Sequence, residues 1–494
     1  MSLEAQATSS IKWTSLAQVV QQVLQFATSV VLARLLLPSD FGLMTMALVV
    51  IGFLSIFKDL GTSAAIIRQD SLSEPLLASI FWINALIGFG MMAGLFITAP
   101  LFADVYREPR VVPLVRALSV VFFVSSLSIL QKALLERNFA FQTLAKLETG
   151  VTVAGSVAGI TTALLGAGVW SLIIKAAVEG LISTVLLGAL ARYRPSFRFH
   201  WGELKRVSAY SLNLTGFNIA NYFTRNADYV LIGRFLGAQQ LGYYTLAYRL
   251  MLFPLQNISS VIGRVMFPVL SRLDGEEERF QRAYLSATSC IAYFSFPMML
   301  GLCALSEPFV LAVYGNNWRP VIVLLMILAP LGMLQSIGTT TGAIFQAKGH
   351  TDWMFRWGLA SGLLCVLSFI VGLRWGIIGV SGAYAIAGGI LFYPNFAIPF
   401  RLIHLKFRSL LDVLVAPFLG ALAMLTVVIC TRSVLQSYVS EGWLLALAIP
   451  AGGLVYLVSS WMANRETVQQ SLEVIGLWPQ RLVNRTPEVS QSVS

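Results

Sequence analysis

Charged residues are scarce in this chain of 494 residues: Asp, Glu, Lys and Arg together make up 12%, whereas hydrophobic residues make up 57%. The mean hydropathy of +0.75 lies far outside the range of soluble globular domains. The connections between the apolar stretches are short, and none has room for a soluble domain. The composition therefore indicates a membrane protein that crosses the bilayer many times.

Cysteine and histidine, which often act in catalysis or metal binding, are few in this chain. The four cysteines lie in apolar stretches without a Cys-x-x-Cys pair, so we expect buried structural thiols. The three histidines lie in three separate connections, which argues against a histidine metal site or catalytic dyad. No Gly-x-x-x-x-Gly-Lys-Ser/Thr motif occurs, so the chain has no ATP-driven motor of its own. We expect no catalysis and no cofactor, with energy from a proton, sodium or substrate gradient, or from a partner.

About 20 consecutive apolar residues span the hydrocarbon core of a bilayer, and about fourteen such stretches can be placed along the chain. The sequence therefore predicts an all-α polytopic membrane protein. Polar residues interrupt the seventh and eighth spans, at 210–233 and 241–267. The N-terminus lacks a basic segment followed by a short apolar core, so we expect no cleaved signal peptide.

The formal net charge of +11 is explained by membrane topology. Cytoplasmic loops of membrane proteins carry an excess of Lys and Arg. Placing the N-terminus in the cytoplasm puts about two thirds of the 34 basic residues on the inner side. This distribution predicts cytoplasmic termini at both ends in a bacterial inner membrane, and it argues against binding to nucleic acid.

A segment of the first half returns about two hundred residues later. ARLLLPSDFGLMTMA at 33–47 aligns without a gap with GRFLGAQQLGYYTLA at 233–247, and five positions are identical. Internal repeats of this kind are typical of transporters, in which one repeat moves against the other. We therefore predict two homologous six-helix bundles around a central cavity, with two further helices and a tail. The predicted boundaries are 1–200, 201–405, 406–464 and 465–494.

Polar side chains form a stripe on the first helix of each half. The first stripe contains Gln18, Gln21, Gln25 and Thr28, which share one helical face. The repeat offset gives the second stripe, which contains Asn218, Asn221, Arg225 and Asp228. Such stripes either form hydrogen bonds between helices or face each other across a water-filled cavity. The matched placement in both halves favours the cavity.

Several charged residues lie within predicted spans, where charges usually face a cavity or a partner. Arg225 and Asp228 are three residues apart, and Lys175 and Glu179 are four apart, so each pair is either a fixed ion pair or functional. Arg249 has no acidic neighbour on its helix and is a candidate for holding an anionic ligand. The predicted substrate-contacting residues are Gln18, Gln21, Gln25, Asn218, Asn221, Arg225 and Arg249. The candidates for ion coupling are Asp228, Glu179 and Lys175.

Five stretches of the sequence match the pattern of a known family. They are ARLLLPSDFGLMTMA at 33–47, FKDLGTSAAIIRQ at 57–69, ALLERNFAF at 133–141, GAGVWSL at 166–172 and DYVLIGRFLGAQQLGYYTLAYRL at 228–250. Together they resemble the polysaccharide transporter family, the Wzx-type flippases of the multidrug/oligosaccharidyl-lipid/polysaccharide superfamily. The exopolysaccharide exporters of the colanic acid and succinoglycan type are the most similar branch.

The resemblance implies a function and its partners. It implies twelve helices in two bundles plus two extra helices at 409–431 and 442–463. It also implies export of undecaprenyl-pyrophosphate-linked oligosaccharide across the bacterial inner membrane, with a polysaccharide polymerase and chain-length or export proteins as possible partners. Lipid II flippases of the superfamily carry several cavity arginines in their first half, whereas this chain has glutamines there. An arginine cluster that grips the pyrophosphate is therefore not expected.

Two other functions are compatible with part of the sequence. A drug or cation antiporter of the same superfamily would require uncompensated acidic residues in its cavity. Here each acidic residue predicted well inside a span has a basic neighbour one turn away. A membrane glycosyltransferase or polymerase would require a catalytic acidic pair in an outer loop. The only densely charged outer loop contains Asp104, Arg107, Glu108 and Arg110, which resembles a solvated turn.

Overall fold

The computed structural model of the chain describes residues 3–58, 66, 73–191, 193, 196 and 211–463, with no side-chain description for 3–16, 58, 211–220 and 463. The described residues form helices joined by short connections, and none of them is in a β-strand. This agrees with the predicted all-α fold.

The described residues of the first half form seven α-helices of very different lengths. They are α1 (Leu3–Leu35), α2 (Pro38–Lys58), α3 (Glu74–Tyr106), α4 (Val111–Ser126), α5 (Ile129–Arg137), α6 (Phe141–Leu164) and α7 (Trp170–Leu190). The short α5 follows α4 after only two residues, and together they form one apolar segment, Val111–Arg137.

In the second half, the described residues form ten α-helices. They are α8 (Ser211–Met251), α9 (Ser260–Arg272), α10 (Glu277–Ala304), α11 (Ser306–Phe309), α12 (Val321–Gly338), α13 (Thr341–Ala347), α14 (Thr351–Gly372), α15 (Gly376–Phe400), α16 (Phe407–Leu435) and α17 (Glu441–Ala463). The last two coincide with the additional pair of helices predicted at 409–431 and 442–463.

Many of these helices can cross a membrane. Within the described ranges, ten segments are long and apolar enough to do so, and a bent pair of segments brings the number to eleven. One of the ten, Thr351–Ile403, contains both α14 and α15 and therefore corresponds to two predicted spans. The polytopic architecture is confirmed, whereas the number fourteen stays a prediction.

The described chain forms two compact units. The first consists of the residues up to Leu246 with Val313–Trp318 and Gly362–Val380, and the second consists of the rest. The predicted division at residues 200 and 405 follows the repeat and not these contacts, so it stays a prediction.

In the first unit, helices pack in a defined order. The polar-striped α1 packs on α6, α6 packs on α7, α7 packs on α4, and α4 packs on both α2 and α3. Small residues allow these close contacts: a Cβ atom at Gly88 of α3 would overlap the side chain of Ser126 at the end of α4. Glycine at helix crossings is a common device of membrane proteins, because it lets two backbones approach closely.

The core of the second unit is built around α10. This helix packs on α12 and α16, and α16 packs on α17. Tyr456 of α17 donates a hydrogen bond of 2.7 Å to the carbonyl of Tyr293, and Arg432 of α16 pairs with Glu307. The two additional helices are therefore bound to the second unit by both apolar packing and polar contacts.

The two copies of the repeat break their helices at the same position. Between α1 and α2, the carboxylate of Asp40 accepts a 3.0 Å hydrogen bond from the backbone N–H of Leu37. In the second copy, Gly237 has φ 84° and ψ 174°, a conformation that is essentially restricted to glycine. The sequence predicted two spans here, 210–233 and 241–267, and the break at residue 237 lies between them.

Candidate functional site

The polar stripe of α1 faces the interior of the first unit. Thr28 is buried, donates a hydrogen bond of 2.7 Å to the carbonyl of Leu24 and is hydrogen-bonded to the hydroxyl of Ser156 on α6 at 2.9 Å. Because Gln21 and Gln25 lie on the same helical face as Thr28, they are directed towards the same helices.

Gln21 and Gln25 line a cavity of about 700 Å³. We call it the first-unit cavity, because every residue that lines it belongs to that unit. Its polar lining consists of amides, hydroxyls and four charged groups: Gln21, Gln25, Ser55, Ser125, Ser128, Lys132, Glu136, Glu148, Thr152, Glu179 and Ser183. Polar and charged groups inside a membrane protein are costly in free energy unless water or a polar ligand contacts them.

One ion pair in this cavity joins α5 to α6. The ammonium of Lys132 lies 2.8 Å from a carboxylate oxygen of Glu148, and the side chains retain 47% and 42% of their exposure. Since exposed pairs contribute about 0–1 kcal/mol, this pair adds little stability. It places two opposite charges where a polar ligand could exchange hydrogen bonds with both.

A second ion pair lies deeper along α7. The ammonium of Lys175 is 2.6 Å from Glu179, and the two side chains retain 22% and 29% of their exposure. The sequence left open whether Lys175 and Glu179 form a fixed ion pair or have a function. The structure contains the ion pair, and Glu179 also lines the cavity.

Two glycines of α6 make room for this pair. A Cβ atom at Gly155 would overlap the side chain of Glu179, and one at Gly159 would press on the side chain of Lys175. The two glycines are four residues apart and lie on the same face of α6. They form a groove that positions the Glu179 carboxylate in the cavity.

The lining favours uncharged polar ligands over anions. Three carboxylates and one ammonium line the cavity, so its net charge is negative. Amide, hydroxyl and carboxylate groups all form hydrogen bonds with sugar hydroxyls, which both donate and accept. In the described part of the chain, no group of three or more His, Cys, Asp or Glu residues could hold a metal ion.

The other predicted substrate residues lie elsewhere or outside the description. Gln18 is half-buried on α1 and is not part of the cavity lining. The side chain of Asn218 lies outside the described residues. Asn221 and Arg225 are exposed on α8, and Arg249 is exposed in the second unit. Whether the two polar stripes face each other across a central cavity stays a prediction.

Asp228 is held by neutral partners. Its carboxylate accepts hydrogen bonds from the hydroxyl of Tyr244 at 2.9 Å and from the backbone N–H of Tyr229 at 2.8 Å, and the side chain is buried. Tyr244 follows the break at Gly237, so this contact joins the two arms of α8. Among the described ion pairs, none joins Asp228 to Arg225.

Three of the charged residues that line the cavity were not predicted. Lys132, Glu136 and Glu148 flank the connection between α5 and α6. The family pattern ALLERNFAF at 133–141, which contains Glu136, was the signal that lay near them.

The model of the family described as "Polysaccharide biosynthesis protein" matches residues 31–323, which is more than half of the chain. The chain belongs to this family. The match includes α2 to α7 and all the residues that line the cavity except Gln21 and Gln25.

Alignments with two proteins of similar sequence cover most of the chain. The "Lipopolysaccharide biosynthesis protein WzxC" of Escherichia coli (strain K12) is 28% identical over 384 residues, which make up 77% of this chain and 78% of that protein. The "Teichuronic acid biosynthesis protein TuaB" of Bacillus subtilis (strain 168) is 27% identical over 470 residues, or 92% of this chain and 95% of that protein. The family predicted from the motifs is confirmed.

A solved structure shows the same fold. The structure described as "Lipid II flippase MurJ, inward closed conformation" superposes with a TM-score of 0.73 at 18% sequence identity, covering 92% of this chain and 99% of that one. This member of the polysaccharide biosynthesis family therefore has the fold of a polytopic transporter. The flippase named by that structure agrees with the expectation of a transporter in place of an enzyme.

Proposed function

We propose that this chain carries the lipid-linked oligosaccharide repeat unit of a secreted or cell-surface polysaccharide from the inner to the outer leaflet of a bacterial inner membrane. The observation that carries this proposal is the first-unit cavity: a space of about 700 Å³, lined by amides, hydroxyls and charges, inside a polytopic membrane protein of the polysaccharide biosynthesis family.

The chemistry of the lining suits a sugar headgroup. Moving a charged or polar group through hydrocarbon is costly, so a carrier must replace the water around it. The amides of Gln21 and Gln25 and the neighbouring hydroxyls supply donors and acceptors without fixing one sugar stereochemistry. The polyprenyl tail needs no such replacement and stays in the lipid.

The names of similar proteins support this substrate class. WzxC and TuaB are named for the biosynthesis of lipopolysaccharide and teichuronic acid, and the structural neighbour is a flippase of lipid II. These proteins are named for different glycans. We propose that the substrate of this chain is an undecaprenyl-pyrophosphate-linked repeat unit of an exopolysaccharide or a lipopolysaccharide.

Transport is proposed to follow alternating access, with both termini in the cytoplasm. Arg225, Arg249 and the amides of Asn218 and Asn221 would add contacts to the headgroup. Asp228 and Glu179, with Lys175, are the residues proposed to couple a proton or a sodium ion. A polymerase and chain-length or export proteins would take over the repeat unit at the outer leaflet.

Deletion of the gene tests the function. We expect the mutant to stop producing one polysaccharide while undecaprenyl-linked repeat units accumulate facing the cytoplasm, as measured by extraction and mass spectrometry of the lipid fraction. Complementation with the wild-type chain should restore both. A mutant that still makes its polysaccharide but becomes sensitive to cationic drugs would favour an antiporter, for which the acidic lining around Glu136 would be the starting point.

A further inference from the structure

Prolines inside membrane helices leave backbone carbonyls without their usual partner. A proline at position i has no N–H, so the carbonyl at position i−4 loses its helical hydrogen bond. In a bilayer no water replaces the missing donor, and a neighbouring helix has to supply one. In four of the described helices, a side chain of another helix lies within hydrogen-bond distance of the carbonyl that a proline frees.

The first unit contains one such contact. Pro100 in α3 frees the carbonyl of Phe96, and Nε of Arg116 in α4 donates a hydrogen bond of 3.2 Å to it. The central carbon of the guanidinium also lies 4.8 Å from the centre of the Phe96 ring. This arginine thus stabilises a break in a neighbouring helix.

In the second unit, α10 donates to the proline breaks of two neighbouring helices. The thiol of Cys303 lies 3.6 Å from the carbonyl of Met326, four residues before Pro330 in α12. The hydroxyl of Ser289 lies 3.4 Å from the carbonyl four residues before Pro417 in α16. Both contacts are long, so each is a weak hydrogen bond.

The proline break of α10 itself has the shortest of these contacts. Pro297 frees the carbonyl of Tyr293, and the hydroxyl of Tyr456 in α17 donates a hydrogen bond of 2.7 Å to it. Both tyrosine side chains are buried, and their ring centres are 5.3 Å apart. The break in α10 is therefore completed by the last helix of the described chain.

Helix α16 supports this contact in two ways. A Cβ atom at Gly420 would lie 3.2 Å from the ring of Tyr456 and 2.8 Å from the hydroxyl oxygen of Ser460, so the glycine lets α17 approach closely. At the end of α10, Arg432 of α16 donates a hydrogen bond of 3.0 Å to the carbonyl of Ala304. That carbonyl is among the last four of α10, which have no partner within their own helix.

We propose that the two additional helices α16 and α17 are a brace for α10, in which Tyr456 is the positioning residue that fixes the course of α10 at Pro297. The donors come from both helices of the brace, and they reach carbonyls that α10 cannot satisfy itself. A buried carbonyl without a donor is costly, so the break at Pro297 depends on α17. This role goes beyond the proposed function, since no described residue of α16 or α17 lines the first-unit cavity.

A double-mutant cycle tests the brace. Tyr456→Phe removes only the hydroxyl and leaves the carbonyl of Tyr293 without a donor, so it should lower the unfolding temperature in detergent by several degrees. Pro297→Ala supplies a backbone N–H to the same carbonyl. In that background Tyr456→Phe should have a much smaller effect. Equal effects of Tyr456→Phe in the two backgrounds would overturn the brace.

Two matched variants control this cycle. Tyr438 is exposed at the connection between α16 and α17, so Tyr438→Phe should leave the unfolding temperature unchanged. Pro450 lies in α17 like Tyr456, but it frees the carbonyl of Ala446, and in the described part of the chain no side chain donates to that carbonyl. Pro450→Ala should therefore leave the effect of Tyr456→Phe unchanged. A reduced effect in this background too would contradict a specific coupling to Pro297.

A distance measurement needs no proline variant. In a chain whose four native cysteines are replaced by serine, spin labels at Arg279→Cys and Ser437→Cys report the position of α10 relative to the connection between α16 and α17. Both positions are exposed. Tyr456→Phe should broaden the distance distribution, because α10 is no longer fixed at Pro297. Ser259→Ala removes a buried hydroxyl elsewhere in the same unit and should leave the distribution unchanged. An unchanged distribution in Tyr456→Phe would overturn the positioning role.

Export separates a brace from a contact with the lipid substrate. Leu457 follows Tyr456 in α17, and its side chain retains 50% of its exposure. Tyr456→Phe should lower polysaccharide export several-fold at an unchanged protein level, whereas Leu457→Ala should leave export unchanged. Loss of export in a stable Leu457→Ala variant would contradict a role limited to bracing. Only this comparison rests on the proposed function: polysaccharide that persists after gene deletion would refute that function, and the thermal and distance measurements would still decide the brace.

Discussion

The ion pair between Lys175 and Glu179 shows how one residue can serve both packing and transport. Its side chains are only partly exposed, so water solvates each charge incompletely and the opposite charge supplies the remaining stabilisation. The groove at Gly155 and Gly159 holds the pair against α6, and Glu179 still lines the cavity. The stability and the transport function of the pair can therefore be separated by substitution.

We expect Lys175→Met alone to destabilise the protein more than the double variant with Glu179→Gln. The single variant leaves a carboxylate without its partner, at a cost of about 1–3 kcal/mol, whereas the double variant removes both charges. Thermal unfolding in detergent measures this difference. Export should stay impaired in the double variant, because Glu179 lines the cavity. Full export by the double variant would show that the pair has only a structural role.

Arg225 and Arg249 are exposed, and within the described chain neither pairs with a carboxylate. If they hold a phosphate or an acidic sugar, Arg→Ala at either position should abolish export at an unchanged protein level. Lysine should restore part of the activity, since it keeps the charge but loses the two-pronged hydrogen bonding of the guanidinium. Normal export by the double alanine variant would remove the anion-binding role.

At the scale of elements, the same helix break is made by different residues in the two copies of the repeat. In the first copy Pro38 begins α2, and Asp40 accepts the N–H of Leu37. In the second copy Gly237 adopts a conformation that other residues avoid. The geometry of the break is thus retained although its chemistry differs.

Gly237→Ala should therefore be costly. We expect a loss of about 1–3 kcal/mol in the stability of the fold, because the alanine methyl group is incompatible with φ 84° and ψ 174°. The unfolding temperature of the purified protein measures it. Gly90→Ala in α3 is the control: its position is helical with open space around it, so the substitution should be neutral or slightly stabilising. Equal effects of the two substitutions would contradict the explanation.

Helix α6 provides a test of the groove. Gly155→Ala places a methyl group where the Glu179 side chain lies, whereas Gly150→Ala on the same helix meets open space. We expect the first substitution to displace the carboxylate from the cavity and lower export several-fold, and the second to leave export unchanged. Polysaccharide yield, normalised to protein in the membrane, measures both. An unaffected Gly155→Ala variant would show that the position of Glu179 is not critical.

Elements that follow a local pattern were predictable from the sequence. Apolar length predicted α16 and α17, and the interruption near Gly237 separated the two spans that form the arms of α8. The stripe on α1 gave two residues of the cavity, because helical periodicity relates Gln21 to Gln25.

Lys132 and Glu148 could not be paired in the same way, since they lie on different helices and their contact depends on how α5 and α6 pack. Tyr244 as the partner of Asp228 was likewise not predictable, because fifteen residues and a helix break lie between them.

At the scale of the whole molecule, topology is the prediction that connects the sequence with the direction of transport. A reporter that is active only in the cytoplasm should be active when fused near Arg198 or after Arg465, and inactive when fused near Arg107. The excess of Lys and Arg on one side is the physical reason. If the fusions near residues 107 and 198 report the same side, the assigned spans are wrong.

The contacts between the two copies of the repeat, 33–47 and 233–247, also have an evolutionary consequence. An interface in which residue 38 meets 242 and residue 42 meets 238 is isologous, as in a symmetric dimer. An ancestral chain with a single copy of the motif would therefore have formed the same interface with a second molecule of itself. Duplication and fusion would then have joined a dimer that already existed, and later divergence at residues such as Leu37 and Gly237 was free to make the two halves unequal.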